Sequence, residues 1–269
     1  MEILYKYYSN ESKYSLENLK NANISFSPLE TLNDPYEGVG AYLLQVSDKG
    51  QKNNDYNINK LDKLITKKIT GNLYEENNFY YRVFCSSKNY NNTLLWSYYA
   101  NEHKGFCVGY EEKDLLEITD EILDIKYSNN MCIINEYSEN TLKELLTTKY
   151  TDWSIENERR VLYKLKEDDI KKLDSKVYYE NNKNTEDKLY KLSGYANQDN
   201  VCALCSDKFI IFKCKPSVIY MGLKMEHHDK KCIIKIAEKF NIKLYQMSQK
   251  ENSFELIAKE YIEGDSEKC

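Results

Sequence analysis

Short apolar runs separated by polar stretches recur along this 269-residue chain, and their periods set the first expectations. ILYKYY over residues 3–8 predicts a first strand, because ring and aliphatic side chains recur at strand spacing. SLENLKNA follows and predicts a short helix with Ser15 as its cap, since a serine oxygen accepts an early helical N–H. Residues 24–27 predict a second short strand, and Asn33-Asp34-Pro35 predicts a turn. Further strands are expected over 80–86, 105–110 and 122–127, and helices over 93–100, 112–116 and 141–148. Near the end, strands over 209–214, 218–221, 242–247 and around 254–258 enclose a helix over 229–240.

The densest cluster of chemically loaded residues is KYTDWSIENERRVLYKL, over 149–165. Its second half reads as a strand entering a core. Residues two apart in a strand face the same way. Glu156, Glu158, Arg160 and Leu162 are therefore expected on one face, with Val161, Tyr163 and Leu165 on the other. Carboxylates beside an arginine and an aromatic form either a site or a solvated edge, and the pattern alone leaves both readings open.

Several strands with few helices between them predict an α+β fold: a central split or mixed β-sheet with peripheral helices. Residues 1–269 read as a single domain, because three prolines and nine glycines supply no linker. Two polar insertions interrupt it, near 46–78 and 166–200. The first contains an amphipathic helix candidate over 58–69.

Composition changes this picture little. The 25 tyrosines go with abundant Lys and Asn, a bias toward AT-rich codons, and are not themselves a functional signal. A net charge of −5 argues against a broad nucleic-acid-binding surface, though not against a local basic groove. Eight scattered cysteines, no apolar leader and no bilayer-length apolar run predict a cytoplasmic protein with reduced thiols and no membrane partner.

The chemical motifs are sparse. Cys202-x-x-Cys205 stands alone, and its irregular distance from His227 and His228 does not make a zinc site, so no metal is expected. P-loop and Rossmann fingerprints are missing. His103, followed by Lys104-Gly105, has no nucleophile elbow to serve and reads as a loop residue or a substrate contact. Ser86 follows a strand and precedes Trp96 and Tyr99. The two aromatics either help cradle a planar ring or pack their helix onto the sheet.

A family resemblance ties these fragments together. Leu4-Tyr5-Lys6-Tyr7, Ser25-Phe26-Ser27, Asn33-Asp34-Pro35-Tyr36-Glu37, Phe84-Cys85-Ser86, Leu95-Trp96-Ser97, His103-Lys104-Gly105-Phe106-Cys107, Trp153 with Glu158 and Arg160, and Val218-Ile219-Tyr220-Met221-Gly222 resemble the bacterial family known as domain of unknown function 2971. More distantly, the order of elements resembles the ADP-ribosyltransferase superfamily. That resemblance implies NAD as substrate, with Lys6 or Tyr7 on the adenosine side and Ser86, Trp96 and Tyr99 around the nicotinamide. Glu158 would hold the nicotinamide ribose, Glu156 would complete a two-glutamate motif, and Arg160 would orient the carboxylate or meet pyrophosphate. His103 and Lys104 would touch phosphate or the acceptor. Lys6-Tyr7 replaces the usual first-strand His or Arg, and Ser86-Ser87 replaces a Ser-Thr-Ser form. The function so implied is an ADP-ribosyltransferase-like toxin or phage-defence effector modifying nucleic acid or protein. Two alternatives remain open: a noncatalytic nucleotide- or protein-binding module, and a metal-dependent nuclease or hydrolase using Asp34, Glu37 and Glu158.

Overall fold

The computed structural model describes residues 2–38, 40–42, 81–119, 121–134, 138–166, 169, 190–191, 204–206 and 209–262. In chain order the strands are β1 (Ile3–Tyr8), β2 (Asn23–Phe26), β3 (Gly40–Tyr42), β4 (Tyr81–Ser87), β5 (Phe106–Glu111), β6 (Glu121–Asp124), β7 (Lys126–Ser128) and β8 (Cys132–Ile134). They continue with β9 (Thr148–Tyr150), β10 (Glu158–Lys164), β11 (Tyr190–Lys191), β12 (Leu204–Ser206), β13 (Phe209–Lys213), β14 (Val218–Met221), β15 (Lys243–Gln249) and β16 (Leu256–Glu260). The α-helices are α1 (Lys13–Lys20), α2 (Thr93–Tyr99), α3 (Glu112–Leu116), α4 (Glu139–Thr147) and α5 (His227–Phe240).

Eight strands form one mixed sheet in the order β16-β15-β14-β5-β1-β4-β10-β6. Every neighbouring pair is antiparallel except β14 and β15, which α5 joins as a crossover. A large mixed sheet with few helices is the α+β layout the pattern predicts. A second sheet, β11-β12-β13-β2, lies beside it.

The two faces of the main sheet bury different residues, as the pleat requires. Leu4, Phe84, Phe106, Val108, Val161, Tyr163 and Ile219 build the larger core on one face. Helix α5 adds Ile233, Ile236 and Ala237 to it, at helical spacing. On the other face Tyr7, Leu95, Trp96, Cys107 and Tyr220 form one cluster. Val83 and Leu162 pack there with Leu142, Leu145 and Leu146 of α4 in another.

Three of the helix starts, those of α1, α2 and α4, carry side-chain caps. The Ser138 side chain accepts from the Thr141 N–H at α4, and Asn92 from the Leu94 and Leu95 N–H groups at α2. At α1 the cap is Ser12, which accepts from the Ser15 N–H. Ser15, expected as the cap, is already inside the helix. The strand expected over 122–127 is two strands in different sheets, β6 and β7, separated by the buried Ile125. Most of the two polar insertions, including the candidate helix over 58–69, lies outside the described residues, as does Cys202.

Strand β4 is the pivot of the architecture. One side pairs with β10 along its whole length, from Tyr81↔Lys164 to Ser87↔Glu158. The other side changes partner. It meets β1 in register only at Ser87↔Tyr5. At Val83 it bridges instead to Ser27, through two bonds of 2.8 Å just beyond β2. The main sheet therefore forks along β4, with β1 as one prong and the β2 sheet as the other.

A candidate active-site cleft at the fork

Between the prongs lies a cavity of about 270 Å³. β1 contributes Tyr5, Lys6 and Tyr7, β4 contributes Cys85, Ser86 and Ser87, and α2 contributes Leu95 and Tyr99. Ser27, Asn33 and Glu37 come from the second prong and the turn beyond it, and Lys149, Glu156 and Glu158 from the chain entering β10. The divergence of β1 from β4 leaves the Cys85 carbonyl without a strand partner there, and the Lys6 amine donates to it at 2.9 Å. The same amine stands 4.7 Å from the centre of the Phe84 ring. Lys6 is half-buried, makes no ion pair among the described residues, and has its pKa lowered by burial.

The floor is a fully paired ionic cluster. Arg160 has no solvent exposure. Its guanidinium donates to both Glu37 oxygens at 2.9 and 3.0 Å, to Glu158 Oε1 at 2.9 and 3.0 Å, and to the Leu146 carbonyl at 2.6 Å. That last acceptor is a carbonyl of α4's final turn, where a helix favours a cation. Lys149 Nζ donates to Glu156 Oε2 at 2.6 Å and Glu158 Oε2 at 3.1 Å, and lies 3.4 Å from Glu37 Oε1. Burial alone would push the Glu158 carboxyl up. Arg160 and then Lys149 overcome this and hold it at about 2, with further help from the Cys85 thiol. The same carboxylates raise the Lys149 pKa against its burial. Burial, and then Glu158, push the Cys85 thiol up to about 12.

Strand period and turn geometry explain how these groups meet. Glu158 and Arg160 share a face of β10 with Leu162, while Val161, Tyr163 and Leu165 point into the larger core, the division expected from the sequence. Glu156 reaches the cluster differently. It ends a 3-10 helix over Thr151–Glu156, and Asn157 follows with φ 44° in the left-handed region before β10 begins. The expectation that Glu156 shares a strand with Glu158 is thus corrected: a turn brings it to the same side. Its Oε1 accepts the Tyr99 hydroxyl proton. Ser87 Oγ donates to the Glu156 carbonyl and Ser86 Oγ to the Arg159 carbonyl, each at 2.6 Å, so β4 pins the backbone under both glutamates.

Of the residues singled out from sequence, Lys6, Tyr7, Ser86, Tyr99, Glu156 and Glu158 line the cavity together. Arg160 does not; it is sealed behind Glu158 and Glu37, and of its two expected roles it is placed for orienting the Glu158 carboxylate. Trp96 lies fully buried beneath Tyr7, edge-on to it at 5.3 Å, with its Nε1–H donated to the Tyr90 carbonyl at 2.8 Å. His103 and Lys104 also lie outside the lining. His103 ends a run of three left-handed residues, Asn101, Glu102 and His103, and its ring stacks on Trp96. Ser97 Oγ donates to the Thr93 carbonyl, so the 3.2 Å contact with His103 Nε2 makes that nitrogen the donor. Burial and then Lys224 lower the His103 pKa. His103 thus packs the turn that follows α2.

Sequence reasoning missed Lys149, although it opens the densely charged stretch over 149–165. The usable signal was charge: Glu37, Glu156 and Glu158 with one arginine leave an excess of buried negative charge that demands a second cation. As for a metal, the structure gives Glu37 and Glu158 nitrogen cations as partners, and Asp34 Oδ1 accepts the Tyr36 N–H at 2.9 Å. Among the described residues no group of three or more His, Cys, Asp or Glu side chains is placed to hold a metal ion.

No protein-family model, no curated protein and no solved structure matches this chain. Kinship with the domain of unknown function 2971 family or with the ADP-ribosyltransferases therefore stands on the quoted motifs alone.

Proposed function

We propose that the cleft binds NAD as a substrate and that the protein transfers ADP-ribose to a nucleic-acid or protein acceptor, acting as a toxin or phage-defence effector in the bacterial cytoplasm. On this reading the fold around the forked sheet is ADP-ribosyltransferase-like. One observation carries the proposal. Lys6, Tyr7, Ser86, Tyr99, Glu156 and Glu158, which the resemblance implies from four separate stretches of sequence, converge on a single cavity.

The chemistry suits those groups. Breaking the bond between ribose C1′ and the nicotinamide nitrogen sends the electron pair to nicotinamide and leaves positive charge on the sugar. Glu158 is ionised and immobilised, so it meets that charge without reorganising. Glu156 is the most exposed of the three cleft carboxylates and is held by Tyr99 and Lys149. It stands ready to accept a hydrogen bond from a ribose hydroxyl or from the incoming acceptor. Arg160 is a positioning residue that fixes Glu158. Lys6 supplies the cleft's one cation among the described residues without a carboxylate partner, suited to phosphate. The rings of Tyr7 and Tyr99 wall the planar base.

A noncatalytic nucleotide-binding module is the second reading, favoured by the complete pairing of the three cleft carboxylates with Arg160 and Lys149. Nicotinamide release from NAD, with and without cell lysate as acceptor source, separates the two. The expectation is release by the wild type that falls at least about a hundredfold in Glu156→Gln and Glu158→Gln variants that remain folded at the assay temperature. Equal release by the folded variants would sink the transferase mechanism. Stabilisation by NAD without release would leave the binding module standing.

A further inference from the structure

A second cavity, of about 330 Å³, adjoins the first at Lys149, which lines both. Its volume is that of a small-molecule site. It is built on β7 and β9, a parallel pair whose register sets Ser128 beside Tyr150. At the end of β7 the Ser128 hydroxyl accepts the Asn130 N–H at 3.0 Å and donates to the Asn130 carbonyl at 2.8 Å. That local turn presents the exposed Asn129 and Asn130 at the cavity. Tyr36 joins them from the turn at Asp34, whose carboxylate accepts the Tyr36 N–H.

The two cavities differ in chemistry. Carboxylates and cations meet in the first. In the second no carboxylate lines the wall among the described residues, and Lys149 Nζ is already held by Glu156 and Glu158. The Asn129 and Asn130 carboxamides and the Tyr36 and Tyr150 hydroxyls have no hydrogen-bond partner among the described residues. Neutral donors and acceptors are therefore what the wall offers a ligand. Tyr36 is 56% exposed, Tyr150 46% and Met131 41%. Three large apolar side chains gathered at one recess differ from the single exposed residues that any surface carries, and mark a binding surface.

A neutral ligand with a flat face and an edge of mixed donors and acceptors suits this set. Phenol rings stack on such a face. A carboxamide matches a neighbouring donor and acceptor on such an edge, as asparagine does with adenine. A sugar, with its many O–H donors, calls for carboxylate acceptors, and a phosphate calls for a free cation. The described lining holds neither.

We propose that this second cavity binds a nucleobase, carried by a free nucleoside or unstacked from a single strand. The proposal does not depend on what the first cavity binds. Isothermal titration calorimetry with adenosine, cytidine, guanosine and uridine, and with five-residue single strands of each base, tests it. At least one base should bind with a Kd below about 1 mM. Tyr36→Ala with Tyr150→Ala should weaken that binding at least about tenfold. Asn129→Ala with Asn130→Ala should change the order of preference among the four bases. All four side chains are exposed and none of these residues has a positive φ, so both double variants should melt like the wild type. Strands binding at least about tenfold more tightly than nucleosides identify a nucleic acid as the source, and equal binding identifies the free nucleoside. No binding by any base, equal binding by the wild type and both double variants, or binding of a neutral disaccharide such as maltose in place of every base overturns the proposal. Should one double variant fail to fold, the other decides. Nicotinamide release is read separately, so the NAD reading and this site can fail independently.

Discussion

Replacing Arg160 with methionine tests the ionic floor most directly. The side chain keeps comparable bulk and loses its charge, leaving Glu37, Glu156 and Glu158 to share Lys149 alone. Two routes give the cost. Removing one partner of a buried ion pair typically destabilises by about 3–5 kcal/mol. Independently, moving the Glu158 carboxyl from 4.5 to about 2 corresponds to roughly 3 kcal/mol of favourable interaction with its surroundings. For a chain of this size that means a melting temperature lower by roughly 6–20 °C. The pH dependence distinguishes this from a packing defect. In the wild type Glu158 is depressed, so its contribution is fully present above pH 4.5 and is lost as pH falls toward 2. Without the guanidinium, burial raises the same carboxyl, so the variant loses stability as pH rises through the raised value. The gap between the two proteins should therefore be widest near pH 7.5 and narrow by pH 5. Denaturant unfolding at both pH values measures it. A gap under about 1 kcal/mol, or one equal at both pH values, would refute the argument.

Other consequences are open to simpler measurements. Cys85 lines the cavity but its thiol is pushed up to about 12, so it should resist iodoacetamide at pH 8 until the protein is unfolded; labelling of the native protein at the rate of a free thiol would contradict this. A Cβ on Gly105 would stand 2.1 Å from the Tyr8 carbonyl oxygen and 3.0 Å from that of Ala100, so Gly105→Ala should cost about 1–3 kcal/mol in a thermal melt, and a neutral result would contradict the close approach. At Asn157, held at φ 44°, glycine should be tolerated and valine should cost about 1–2 kcal/mol; on the proposed NAD reading, valine should also abolish stabilisation by NAD as Glu156 swings away. Equal melting of the two Asn157 variants would show that the turn is not a constraint.

The residues carried different amounts of this in their order. Period-two alternation is local, and it correctly divided β10 into a face with Glu158 and Arg160 and a face with Val161 and Tyr163. The Asn33-Asp34-Pro35 turn was equally legible, since Asp34 caps its own turn through the Tyr36 N–H. The Ser12 cap of α1 was missed because two serines three residues apart compete for the same role. The fork was not legible at all. It depends on β4 pairing with β1 at Tyr5 and with Ser27 at Val83, contacts between distant segments that no local pattern encodes. For the same reason the sequence left Arg160 between orienting the carboxylate and meeting pyrophosphate: it places the residue on Glu158's face but cannot say that Glu37 lies across from it.

The fork also separates two properties that most clefts couple. The aperture is set by main chain, where β4 lets go of β1 and takes hold of Ser27, whereas the chemical character of the lining is set by side chains projecting into the gap. Exchanging Tyr99 would alter the lining of the opening without closing it. A chain built this way can drift through many ligand preferences while its frame stays constant, and relatives with unrelated specificities would be expected to keep the same pair of prongs.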